Sequence, residues 1–196
     1  ASPAAPPGSL TTPTAMTQVR DVRPVSIHGG SVTDNAPLRG GKGMLYEGGI
    51  RVPYVFRMPG TIAAGAETGE PIVSVDLYPT LLEVSKAPPP KQPLDGTSYW
   101  PQLAGKKTLL ERNALYWHFP GYLGAGKTQW RTTPVGTIQA GDWKLMEFFE
   151  DGHLELYNLK EDLGEQHNLA QAQPDKAREL HNKMIAWRKS VGAPMP

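Results

Sequence analysis

One lysine stands inside a glycine-rich loop. The run Asn35-Ala-Pro-Leu-Arg-Gly-Gly-Lys-Gly-Met-Leu-Tyr-Glu-Gly-Gly-Ile-Arg-Val-Pro53 sets Lys42 among glycines 40, 41, 43, 48 and 49. Glycine lets backbones approach closely and adopt positive φ. A lysine in such a loop has a pinned backbone behind a long cationic arm, the kind of group that holds an oxyanion. The same residues also suit a tight turn with Lys42 merely solvated, and the spacing leaves both readings open. Glu47 and Arg51 are placed to pair with each other or to fix the loop.

A second pattern fits in letters and fails in context. Gly121-Tyr-Leu-Gly-Ala-Gly-Lys127-Thr128 satisfies G-x-x-x-x-G-K-[ST], in which loop amides cradle phosphates and the Lys reaches the outer ones. That chemistry needs a helix starting at the Lys. Here Gln129-Trp-Arg-Thr-Thr-Pro134 follows, without helical periodicity and ending in proline. The expectation is a glycine-rich surface loop and not a nucleotide site.

The elements that must position these residues are readable in four places. Arg51-Val-Pro-Tyr-Val-Phe-Arg57 is a short β-rich run stopped by Met58-Pro59-Gly60. Ile72-Val-Ser-Val75 leads into a helix from Asp76, with Asp76 or Ser74 as its cap and Pro79 in its first turn. Residues 114–158 read as an antiparallel meander. Its clearest piece is Trp143–Phe149, then Asp151-Gly152, then Leu154–Tyr157. Pro174-Asp175 opens a last helix in which Leu180, Met184, Trp187 and Val191 share a face, closed by Gly192 and Pro194. Strands and helices in irregular order predict a mixed α/β chain.

Composition narrows the function. The chain has 196 residues, with 20 Lys plus Arg against 19 Asp plus Glu, so charge gives no reason to expect nucleic acid or an anionic membrane surface as partner. Cysteine is absent, which excludes a disulfide framework, a thiolate metal site and a cysteine nucleophile. No apolar run approaches the roughly 20 residues of a membrane helix, and no signal-peptide pattern opens the chain. Residues 1–22 are rich in Ala, Pro and Thr and read as a flexible arm.

The lysine run closely resembles the sulfatase family, the arylsulfatase-like, formylglycine-dependent hydrolases, whose C-terminal half carries P-L-R-x-G-K-G-x-x-x-E-G-G-x-R-x-P. The likeness continues in order through Val75–Leu82, Leu94–Ser98, Gly141–Leu145, Glu155–Leu159, Glu165 and Asn168–Ala170, covering about residues 26–196. It implies an α/β fold, the C-terminal part of an alkaline-phosphatase-like architecture, α+β in its last part. Residues 23–108 would belong to the large α/β domain with the lysine loop. Residues 109–196 would form a small antiparallel-sheet subdomain with a packed terminal helix.

By the same resemblance, Lys42 is the catalytic lysine that contacts the sulfate. The run Tyr116-Trp-His-Phe-Pro-Gly-Tyr122 resembles a subset of bacterial sulfatases in which W-H-F-P starts a loop bordering the substrate pocket. It implies His118 as a substrate contact, with Trp117 or Tyr122 stacking on a sugar ring. The alternative for that run is a strand end whose aromatics pack beneath the loop. No Ser has Pro or Ala two residues on and Arg four on, so the formylglycine motif is not found. Ile27 and His28 stand where the family places a metal-binding Asp-Asn pair. Asp34-Asn35 is a weaker substitute, which an Asx turn explains as well.

No cofactor is therefore expected on this chain alone, with Ca²⁺ belonging to the complete family site. Expected partners are a sulfated small molecule or glycan and the N-terminal sulfatase portion. The resemblance implies a periplasmic or extracellular location. The function expected is that of the C-terminal part of a sulfate-ester hydrolase, inactive by itself. The alternative is a non-catalytic relative that binds glycans or protein. His153, His167 and His181 look like solvated surface positions.

Overall fold

The computed structural model describes residues 34–106, 110, 112–124 and 130–196. The expected arm over residues 1–22 and the Ile27-His28 position lie outside them. The first described half is loop-rich. It holds a one-turn helix α1 (Glu47–Ile50), a 3-10 turn (Ser74–Asp76), α2 (Leu77–Ser85) and α3 (Trp100–Leu103).

The predicted helix after Val75 forms, with Pro79 in its first turn, but its cap works differently. The Asp76 carboxylate does not bond the amides of α2. It accepts N–H from Val73 at 2.9 Å and from Thr97 at 2.8 Å, and it meets Arg112 Nη2 at 2.5 Å, fully buried. Asp76 therefore ties the Leu94–Ser98 motif to the start of the helix. Gly96 permits this, since a Cβ there would lie 2.1 Å from the Val75 carbonyl oxygen.

The β-rich run Arg51–Arg57 does not become a strand. Residues 51–57 find no ladder partner among the described residues, and Val52 and Val55 stand in solvent. A strand needs a neighbour to bond, and apolar alternation by itself supplies none.

The second half is a four-stranded antiparallel sheet in the order β1 (Leu115–Phe119), β4 (Val135–Ala140), β5 (Trp143–Phe148), β6 (Leu154–Asn158). A separate two-stranded hairpin, β2 (Leu123–Gly124) with β3 (Trp130–Thr132), is inserted between β1 and β4. The Asp151-Gly152 hairpin forms as predicted. Gly152 takes φ 73° and Glu147 pairs with Leu154. Helix α4 (Pro174–Val191) begins at the predicted proline, and Gly192 ends it at φ 60°.

Strand alternation sends successive side chains to opposite faces, and both faces of this sheet are covered. Ile138, Leu145 and Leu156 pack against Ala177, Leu180 and Met184 of α4, with Tyr116 at the margin. Burying each large side chain contributes about 1.5–3 kcal/mol. Val191, expected on the same helix face, lies at the helix end and stays exposed. On the other face Val135, Met146, Tyr157 and Leu159 pack with Leu45 and Tyr46 of the lysine run, together with Phe119 and Phe148. The glycine loop is thus the second cover of the sheet.

Candidate functional site

The loop that carries Lys42 is mounted on that sheet face by buried charge. Lys144 of β5, fully buried, places Nζ 2.9 Å from Glu47 Oε1 and 2.7 Å from Glu165 Oε1. The Glu47 amide donates to Glu165 Oε2 at 2.7 Å. Burial pushes the Glu165 carboxyl above its ordinary value, against the pull of Lys144. Arg51 adds a longer, half-exposed contact to Glu47 at 3.4 Å, a pair of small energetic weight.

A second cluster lies beside the first. Arg39 Nη1 donates to Tyr157 Oη at 2.8 Å and to the Glu165 carbonyl at 3.0 Å. Its guanidinium sits 3.9 Å from the centre of the Tyr46 ring. Tyr46 and Tyr157 both donate to Glu155 Oε2 at 2.8 Å. Burial first, and then the Glu155 charge, raise the Tyr46 phenol far above its usual range, so it remains a donor. Burial and the hydrogen bond to Glu155 raise the Tyr157 phenol in the same way.

Close packing completes the base of the loop. A Cβ on Gly48 would lie 2.4 Å from the Gly40 carbonyl oxygen, and one on Gly49 would lie 2.1 Å from that of Met44. The Gly48 amide donates to the Arg39 carbonyl at 2.8 Å. Asn35 Nδ2 reaches the Gly48 carbonyl at 3.1 Å, closing the ring from the other side. From this base Lys42 projects as an exposed side chain at the apex of a turn closed by Met44 N–H to Gly41 O, 3.0 Å. An immobilised loop with one solvent-facing ammonium can present fixed positive charge to an anion without reorganising.

The other expected site residues fall elsewhere. His118 lies on the α4 face of β1, opposite to the lysine loop. Its ring is 5.4 Å from Phe149 and 6.5 Å from Trp187, and Nε2 is 2.6 Å from the Pro194 carbonyl oxygen. Period-two alternation accounts for this. Tyr116 stacks on Trp187, and His118 follows it two residues on. Tyr122 lies beyond the strand end, half-exposed, with its hydroxyl on Glu150 at 3.0 Å.

Asp34 Oδ1 accepts the Ala36 amide at 2.9 Å, an Asx turn, while Asn35 serves the loop. No group of three or more His, Cys, Asp or Glu that could hold a metal ion occurs among the described residues. His181, expected in solvent, is half-buried with Nε2 3.0 Å from Glu147 Oε1, because Glu147 points to the helix face of β5. Residues 125–129 of the phosphate-loop pattern lie outside the described set. Strand β3 begins at Trp130, where that chemistry requires helix.

Sequence reasoning singled out Lys42, Glu47 and Arg51 but missed Lys144, Glu165 and Arg39 as the mount. A signal was present. Met146 and Phe148 share Lys144's face of β5 and are apolar, so a lysine there is buried and needs acidic partners.

Residues 41–190 match the family described as N-sulphoglucosamine sulphohydrolase, C-terminal, and the chain belongs to this sulfatase family. A sulfatase of Formosa agariphila is 38% identical over 172 residues, covering 83% of this chain and 31% of that protein. Human steryl-sulfatase is 39% identical over 100 residues, half of this chain and 17% of that protein. The chain therefore spans less than a third of the length of these relatives.

Among solved structures, Ps i-CgsB in complex with k-i-k-neocarrahexaose superposes with a TM-score of 0.64 at 27% identity, over 79% of this chain and 32% of that one. BT4656, solved with its substrate D-glucosamine-2-N,6-O-disulfate, superposes with a TM-score of 0.56 at 26% identity, over 68% and 27%. The fold is that of the C-terminal part of the alkaline-phosphatase-like sulfatases, a small antiparallel sheet with a packed terminal helix.

Proposed function

We propose that this chain acts as the C-terminal part of a sulfate-ester hydrolase and that Lys42 is its contact to the substrate's sulfate. The observation that carries the reading is the contrast between an exposed ammonium and its buried mount, where Lys144, Glu47 and Glu165 fix the loop from below. An ammonium held there offsets negative charge on the sulfate and on the leaving oxygen as the ester bond breaks. Such preorganised charge is worth about 10²–10³ in rate when one donor is removed.

The substrate class is a sulfated sugar or small sulfate ester, supported by the sugars in the two structural relatives. The nucleophile and the Ca²⁺ ligands are assigned to sulfatase sequence outside these 196 residues. The described side chains do not fit a Ca²⁺ site, since Asp34 and Asn35 are engaged in their own turn and loop. His118 is assigned to packing under α4, because its ring and Nε2 are engaged there.

The test uses a fluorogenic aryl sulfate. The 196-residue chain is expected to give no turnover. A chimera in which residues 34–196 replace the matching region of the Formosa agariphila sulfatase is expected to hydrolyse it. Lys42→Ala in that chimera should lower kcat by about 10²–10³. A chimera whose rate changes less than about twofold on Lys42→Ala, well inside that range, would overturn the assignment.

A further inference from the structure

The mount fixes the base of the loop, while the apex is held by something else. Lys42 and Gly43 are the two central residues of the Gly41–Met44 turn. Gly43 has φ 93°, and Lys42 is not among the residues with positive φ. That combination is a type II turn, which needs a glycine-like φ at its third position. The hydrogen bond closing the turn involves neither the Lys42 carbonyl nor the Gly43 amide. The central peptide can therefore rotate to the type I orientation without breaking it, and glycine tolerates both. Which orientation the lysine's own peptide takes is decided by an outside contact.

That contact comes from the inserted hairpin. Arg131 Nη1 donates to the Lys42 carbonyl oxygen at 3.0 Å. The hairpin also presses directly on the turn. A Cβ on Gly43 would lie 2.4 Å from Leu123 Cδ2 and 3.0 Å from Arg131 Cδ. The hairpin's register explains why Arg131 can reach. Leu123 pairs with Thr132 and Gly124 with Trp130, which leaves Arg131 as the extra residue of a β-bulge. Bulges break alternation and re-aim a side chain, and here the re-aimed side chain is the one on Lys42.

We infer that Arg131 is a positioning residue for Lys42, holding the Lys42–Gly43 peptide in its type II orientation and coupling the β2–β3 hairpin to the sulfate-contacting lysine. This rests on the reading of Lys42 as the sulfate contact. The hydrogen bond of the guanidinium goes to the backbone of Lys42, so on this inference its loss should leave substrate affinity nearly unchanged. The cost falls on kcat, since the ammonium is then presented from more than one backbone state.

Two measurements test it. In the 196-residue chain, the ¹³C signal of the Lys42 carbonyl and the ¹⁵N–¹H signal of Gly43 are followed in the unaltered protein, Arg131→Ala and Arg131→Lys. The inference expects Arg131→Ala to move both signals, with the Lys42 carbonyl losing the deshielding of a charged donor, and Arg131→Lys to restore them in part. In the chimera, Arg131→Ala should lower kcat about three- to tenfold with KM within about twofold, the worth of one solvent-exposed hydrogen bond. Arg131→Lys should recover much of it.

Unmoved signals in Arg131→Ala, or a loss confined to KM, would overturn the inference. Failure of the underlying reading looks different. Lys42→Ala would then leave the chimera's activity intact while Arg131→Ala still moves the Gly43 signal.

Discussion

Lys144→Met removes the one cation from the centre of the loop mount while keeping much of the side-chain volume. In the native chain Lys144 Nζ lies 2.9 Å from Glu47 Oε1 and 2.7 Å from Glu165 Oε1, and none of the three side chains is more than 3% exposed. After the substitution Glu47 keeps only the longer contact to Arg51 at 3.4 Å. Glu165 keeps only the Glu47 amide. Two carboxylates would face each other in a dry site. Removing one partner of a buried pair costs about 3–5 kcal/mol, since the remaining charge is uncompensated. That is a large share of the 5–15 kcal/mol typical of a domain's total stability.

The assay is urea unfolding of the 196-residue chain, followed by amide hydrogen exchange over residues 39–49. The midpoint should fall by about 1–5 M for ordinary slopes of roughly 1–3 kcal/mol/M, and amides in the loop should exchange faster than those of β4 and β5. A control separates charge from shape. The triple change Lys144→Met, Glu47→Gln, Glu165→Gln leaves no buried charge and should recover part of the loss. If Lys144→Met unfolds within about 1 kcal/mol of the unaltered chain with unchanged loop exchange, far below the 3–5 kcal/mol expected, the ion cluster is not what mounts the loop.

Two further outcomes follow from the same geometry. Gly49→Ala would place a methyl 2.1 Å from the Met44 carbonyl oxygen and 2.7 Å from that of Gly41, so the loop must open. It should cost at least the 1–3 kcal/mol of ordinary overpacking, read as a lower melting temperature. The pH dependence turns on Asp162. Burial raises its carboxyl, but the amides of Gln166 at 2.9 Å and His167 at 2.8 Å outweigh it and hold the group below its usual 3.8. A group depressed in the folded state adds stability above its unfolded value, and that contribution is lost as pH falls through the folded one. Unfolding midpoints measured downward from pH 5 should therefore drop below about pH 4, near the usual Asp value. Asp162→Asn should flatten that part of the curve, and an unchanged slope would refute the role given to Asp162.

Local chemistry was legible where it is governed by near neighbours. The Asp151-Gly152 hairpin and the Pro174–Val191 helix follow from turn residues, capping and periodicity, and they form as read. The mixed helix-and-sheet class follows from the same signals. Where a partner distant in sequence decides, the reading fell short. Arg51–Arg57 has strand composition but no ladder partner among the described residues. Asp76 has the type and place of a cap, yet its carboxylate turns back to Val73, Thr97 and Arg112. His118 sits in an aromatic motif, and only pairing with β4 fixes which face of the sheet it takes.

The sequence by itself determined that Lys42 stands in a glycine-rich loop, and it carried enough ordered motifs to mark a sulfatase C-terminal part. Tertiary structure alone decided how that loop is held. Lys144 and Glu165 lie about a hundred residues from the glycines they anchor, and Arg131 reaches Lys42 through a bulge that composition does not announce. Buried charges find partners across the fold because desolvation forbids leaving them alone. No local pattern states which partner each will meet.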